Sequence, residues 1–117
     1  MTKTKRPPKS IGCATELAID YLSGKWKPVI LARLKDRPLR YGELRRLIPR
    51  LSDKVLTERL RDLESLGLVE RRPGTKANAV VYRLTKRGES LRPTLQSLYE
   101  WGDALAAELN VRIGGSG

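Results

Sequence analysis

The apolar period of the chain changes at Gly67. Before it, apolar residues recur three and four positions apart, the repeat of a helix face; after it, short runs alternate at every second position, the repeat of a strand. Such a chain has to bury several short helices against one small hairpin. The expected fold class is mainly α with a small β-hairpin.

Four helices are predicted ahead of the switch. Over residues 13–22, Ala14, Leu17, Ala18 and Tyr21 make one apolar face, and Gly24 ends it. Over residues 25–35, Trp26, Val29, Ile30 and Leu34 share a stripe, and Pro28 falls within the first turn, where its missing N–H costs little. A short helix over 41–48 turns Leu44, Leu47 and Ile48 inward, and Pro49 stops it. After the tight turn Arg50-Leu51, Ser52 is a suitable N-cap, with Asp53 near the positive end of the next helix. That helix runs to Leu66. Two helices joined so briefly form a helix-turn-helix.

Within the fourth helix Leu56, Leu60 and Leu63 cluster on one face, so Lys54, Thr57, Glu58 and Arg61 share the opposite face. These side chains suit base edges: Lys and Arg donate to guanine, Thr bonds an edge or meets a thymine methyl, and Glu accepts from cytosine. A solvated helix face has the same pattern, and only the flanking motif favours recognition. Arg40, Arg45 and Arg46, on or just before the preceding helix, are placed to neutralise phosphates, and Ser52 counts with them among the expected DNA-binding residues.

Two strands are predicted over 68–72 and 80–85, joined by Pro73-Gly74-Thr75-Lys76-Ala77-Asn78-Ala79. Arg71, Arg72 and Lys76 make the hairpin a DNA-contacting wing. Residues 86–109 read as helical again, uneven near Gly88 and Pro93. There Leu91, Leu95, Leu98, Leu105 and Leu109 form a heptad-like seam, with Gly102 at the missing position. A seam outside the core calls for a partner, and a second copy is the simplest. The alternative is packing onto its own domain. The resulting architecture is a winged helix-turn-helix with extra N- and C-terminal dimerisation helices. Its expected divisions are a flexible basic arm over 1–11, the domain over 12–110 and a flexible tail over 111–117.

Charge supports a polyanionic partner. Twenty-four Lys/Arg stand against 13 Asp/Glu among 117 residues, a net charge of +11. The imbalance is local: residues 1–50 hold 13 basic and 4 acidic side chains, whereas residues 93–111 hold three acids and no base. One end should meet phosphate and the other should not. No apolar run is long enough for a bilayer span, and the basic start lacks the apolar core of a secretory signal, so the cytoplasm is the default compartment. With no histidine and one cysteine, an intrachain disulfide and Ser-His-Asp or Cys-His catalysis are excluded, and no zinc site is expected. Nucleotide-binding glycine motifs are absent. The expectation is a non-enzyme without cofactor or metal that binds double-stranded DNA as a homodimer.

The sequence resembles the HxlR-type winged-helix regulators. The resemblance is carried by Ser23-Gly24-Lys25-Trp26-Lys27, Ile30-Leu31, Leu39-Arg40-Tyr41-Gly42-Glu43-Leu44-Arg45-Arg46 and Leu51-Ser52-Asp53-Lys54-Val55-Leu56-Thr57. It continues through Leu60-Arg61-Asp62-Leu63-Glu64, Gly67-Leu68-Val69-Glu70-Arg71, Val80-Val81-Tyr82-Arg83-Leu84-Thr85, Gly88 and Trp101. It implies a dimeric bacterial transcription factor whose first and last helices build the dimer. The chain departs from the family pattern at Val81, where a glutamate is frequent, and at Asn78-Ala79, where a proline is frequent.

The resemblance places Cys13 where some members sense oxidants or electrophiles. Its own surroundings point both ways. A helix start and nearby Lys9 favour thiolate and Gly12 favours access, whereas Glu16 repels thiolate, and unpaired cysteine is commonly a small buried residue. Another reading makes the protein a small-molecule sensor, with Tyr21, Trp26, Tyr99 and Trp101 lining a pocket at the dimer interface. Aromatics at helical spacing serve equally as plain core.

Overall fold

The computed structural model describes residues 9–76 and 79–114. The order is α1 (Ala14–Leu22), α2 (Lys27–Asp36), α3 (Tyr41–Leu47), α4 (Asp53–Ser65), β1 (Val69–Pro73), β2 (Val80–Leu84), α5 (Lys86–Glu89) and α6 (Arg92–Leu109). Most of the proposed arm and the end of the tail lie outside the described residues, as do Ala77 and Asn78 of the wing tip.

A leucine-rich core surrounds α2. Ile30, Leu31 and Leu34 of α2 meet Leu44 of α3, Leu56, Leu60 and Leu63 of α4, and Leu95 of α6, all buried. The buried set of α2 is one stripe rotated from the expected one: Lys27, Ile30, Leu31 and Leu34 fall at i, i+3, i+4 and i+7, while the expected Val29 faces outward. The helix also starts later than predicted. Trp26 takes the left-handed region at φ 85, so it can only precede the first turn.

Helix α4 follows the sequence closely. Ser52, in extended backbone, accepts the Val55 N–H at 3.1 Å, so the first turn is capped. At the other end Gly67 adopts φ 75; its N–H donates to the Glu64 carbonyl and the Leu68 N–H to the Leu63 carbonyl. This Schellman arrangement needs the left-handed conformation and delivers Leu68 and Val69 into the core.

The hairpin runs antiparallel from Val69 opposite Leu84 to Pro73 opposite Val80. Leu39 adds a further rung: its N–H donates to the Tyr82 carbonyl at 3.0 Å, and its carbonyl accepts the Tyr82 N–H in return at 2.7 Å. The residue after Pro38 therefore ties the α2–α3 connection to the wing.

The last helical region is two helices. Thr85 caps α5 by accepting the Gly88 N–H at 3.0 Å, and its hydroxyl donates to the Gly67 carbonyl at 2.6 Å. The chain breaks at Ser90-Leu91, and Pro93 sits in the first turn of α6. The leucine seam divides accordingly. Leu91 and Leu95 pack on the chain's own core, whereas Leu98 and Leu109 stay exposed. Helix α1 buries no residue.

Gly88 is buried, and a Cβ there would overlap the Leu68 carbonyl oxygen and crowd Leu84 Cβ at 3.1 Å. Gly88→Ala is expected to cost about 1–3 kcal/mol through overpacking. The melting temperature measured by circular dichroism should fall by several degrees.

Candidate nucleic-acid interface

The turn between α3 and α4 brings its polar groups together. Tyr41, first in α3, places its hydroxyl 2.9 Å from Asp53 Oδ1 and 3.1 Å from the Asp53 carbonyl oxygen. Arg45, one turn later, donates from Nε to Asp53 Oδ1 at 2.8 Å and from its guanidinium to the Leu51 carbonyl. The Tyr41 hydrogen bond, then that from Arg45, holds the Asp53 carboxyl below its usual pKa. At the start of α3 the Arg40 N–H donates to Glu43 Oε1 at 2.8 Å, and this is the chief reason that carboxyl is lowered too.

Lys54, Glu58 and Arg61 are exposed on α4 opposite the buried leucines, and Thr57 is half-buried at the edge facing α3. Thr57 Oγ1 lies 3.3 Å from the Tyr41 hydroxyl. Arg40 and Arg46 are exposed on the flank formed by α3. Lys54, Arg61 and Arg46 form no ion pair among the described residues. Arg45 differs: read from sequence as a phosphate ligand, it is bound into the turn.

The wing carries a charge lattice. Glu70 accepts from Arg83 Nε at 2.7 Å and from Arg72 Nε at 3.2 Å, and Arg71 reaches back to Glu64 on α4 at 2.9 Å. Hydrogen bonds from Arg83 and then Arg72 lower the Glu70 pKa. Arg72 is therefore held in place, and Lys76 is exposed near the tip. The pairing of Arg83 with Arg72 through one acid is visible in the strand register and not in the sequence. Tyr41 and Asp53 were likewise not singled out as partners, because no spacing rule links residues across this turn.

Cys13 is exposed at the N-cap of α1, which does not match burial in the core. Hydrogen bonds from the Thr15 N–H, then the Thr15 side chain and the Glu16 N–H, lower its thiol pKa. Among the four aromatics read as pocket residues, Tyr99 lines an apolar groove of about 600 Å³ with Pro28, Val29, Leu95, Leu98 and Ile113. Tyr21 and Trp26 pack on the core instead, and Trp101 is 68% exposed.

A capped helix behind a short turn, beside a hairpin, is the winged helix-turn-helix of DNA-binding regulators. The family model of HxlR-like helix-turn-helix proteins matches residues 21–110. The chain belongs to this family and is an HxlR-type transcription regulator. It is 40% identical over 101 residues to the Bacillus subtilis HTH-type transcriptional regulator YkvN, covering 86% of each chain. The redox regulator HypR in its reduced form superposes with a TM-score of 0.76 at 32% identity, covering 86% of this chain and all of that one. The reduced form of YodB from Bacillus subtilis gives a TM-score of 0.68 at 35% identity, covering 80% of this chain and 93% of that one. YodB is also similar in quinone-bound and diamide-treated forms, with TM-scores of 0.65 each.

The different settings of the two neighbouring arginines predict a contrast. Arg45→Ala should lower the unfolding free energy by about 1 kcal/mol, because a charge-assisted bond and the partner of the Leu51 carbonyl are lost. Arg46→Ala should stay within about 0.5 kcal/mol of the parent. Urea unfolding of both variants makes the comparison.

Proposed function

We propose that the protein binds a palindromic duplex operator as a homodimer, with α4 of each copy in a major groove. The observation that carries this reading is the exposed face of α4, where Lys54, Glu58 and Arg61 stand clear of the core behind the Ser52 cap. Lys54, Thr57, Glu58 and Arg61 meet base edges. Arg40, Arg46, Arg72 and Lys76 meet phosphates, while Arg45 holds the turn to which these groups are fixed.

The terminal helices support the pairing. A nine-residue helix is unstable by itself, since isolated helices shorter than about 12–15 residues are marginal in water. Helix α1 nevertheless has no fully buried residue in its own chain, where only its last turn, Tyr21 and Leu22, packs half-buried on the core. Ile19, Leu98, Tyr99, Trp101 and Leu109 are all exposed on α1 and α6. A second copy laid against these helices gives that apolar surface a partner. The basic stretch over 1–50 and the acid-only stretch over 93–111 then have separate tasks.

Titration of a duplex taken from upstream of the protein's own gene tests the reading. Affinity should fall with salt at a log–log slope of about −0.9 for each neutralised phosphate. The double variant Leu98→Glu, Trp101→Glu should sediment as a monomer and lose operator affinity. A flat salt response overturns the DNA reading, and a persistent dimer overturns the assigned interface.

A redox response is favoured by Cys13 itself, exposed and with a lowered thiol pKa. The similar HypR, a redox regulator, and YodB, known in quinone-bound and diamide-treated forms, agree with it. The lowered pKa raises the thiolate fraction at neutral pH over that of an ordinary cysteine. With no second cysteine in the chain, an oxidant removes two electrons from two thiols in different molecules. These are Cys13 of both copies, or Cys13 and a small thiol; a quinone instead adds to the thiolate. Diamide should weaken operator binding by the wild type and leave Cys13→Ser unchanged. Equal responses would reduce Cys13 to a bystander.

A further inference from the structure

Three oxygens form a chain at the edge of the α4 face. The Tyr41 hydroxyl stands between Thr57 Oγ1 at 3.3 Å and Asp53 Oδ1 at 2.9 Å, with the Asp53 carbonyl oxygen at 3.1 Å. The chemistry of the groups fixes the direction of this chain. An ionised carboxylate and a backbone carbonyl accept hydrogen bonds and never donate. A phenol oxygen 2.9 Å from a carboxylate oxygen is repelled unless a proton lies between them. Asp53 remains ionised, since Tyr41 and Arg45 both lower its pKa. The single phenol proton therefore points to Asp53. The contact between Tyr41 and Thr57 then needs the Thr57 proton. Thr57 spends its one donor inward and turns lone pairs and its methyl group outward.

We propose that Tyr41 is a positioning residue for base recognition, which makes Thr57 a reader by acceptor and methyl alone. This rests on the placement of α4 in the major groove. There adenine N6 and cytosine N4 donate and thymine offers a methyl, whereas guanine presents only the acceptors O6 and N7. A guanine opposite Thr57 meets lone pair against lone pair. Arg61 or Lys54 supplies donors to guanine at neighbouring positions, so the exclusion is confined to one base of each half-site.

Selection of bound duplexes from a randomised library, with the full chain and its variants, tests the proposal. The wild type should deplete guanine about tenfold at one position of each half-site. Tyr41→Phe frees the Thr57 hydroxyl to donate and should restore guanine there, while affinity for the best wild-type site changes only a few-fold. Thr57→Ser keeps the proton arrangement and should keep the depletion. A merely structural role for Tyr41 would weaken all sites alike and leave the base profile unchanged, and that result overturns the proposal while leaving operator binding intact. Should Tyr41→Phe fail to fold, Thr57→Val serves: it must abolish the preference for amino-bearing bases, and its retention overturns the proposal. If the wild type enriches no duplex, the operator reading fails and this proposal with it.

Discussion

Leu51 has to lie in the core and in a tight turn at the same time. It is 2% exposed, between Arg50 and Ser52, which both face water. Burying it removes a backbone carbonyl from solvent, and a buried acceptor needs a partner. The Arg45 guanidinium supplies one, and the Leu51 N–H donates to the Ile48 carbonyl at 3.1 Å. Ser52 follows in the extended conformation required of a cap. The start of α4 is thus fixed by an apolar anchor and by satisfied polar groups together. Once Leu56, Leu60 and Leu63 enter the same core, the rotation of α4 is settled, and its polar face can only turn outward.

The far end of α4 passes that constraint to the wing. Gly67 reverses the chain, Leu68 and Val69 enter the core, and the Thr85 hydroxyl returns from β2 to the Gly67 carbonyl. Leu39 holds the other edge through Tyr82. The hairpin is consequently fastened at its base to both helices of the motif. Its outer face carries Glu70 between Arg72 and Arg83, so their like charges share one acid and are held apart in fixed directions.

Much of this was legible in the sequence because local rules dominate it. The Ser52 cap, the leucine face of α4 and the stop at Gly67 each depend on residues within one or two helical turns. The misreadings have non-local causes. Val29 was placed inward because Trp26 was counted into the stripe of α2, whereas Trp26 precedes the helix and the buried stripe runs through Lys27, Ile30, Leu31 and Leu34. The helical stretch over 86–109, read as uneven near Gly88 and Pro93, divides between them at Ser90-Leu91, while the close pass of Gly88 under the Leu68 carbonyl joins segments twenty residues apart. Leu39 was given no place in the sheet because one rung of sheet has no period. The bonds of Arg45 to Asp53 and Leu51 went unread because they cross a turn whose geometry no spacing predicts.

Thr57, the threonine at the edge of the base-facing surface, shows how the fixed turn bears on chemistry. A hydroxyl on an ordinary exposed helix rotates freely and both donates and accepts. Here the same network that satisfies the buried turn lies within reach of it, through Tyr41. The core residue Leu51 positions its carbonyl for Arg45, Arg45 and Tyr41 share one Asp53 oxygen, and Tyr41 in turn faces Thr57. Orientation at the surface therefore descends from burial in the core. A substitution in the turn alters what the helix can recognise even where it touches no base, because the donors of a small polar network are few and each commitment removes one from the surface.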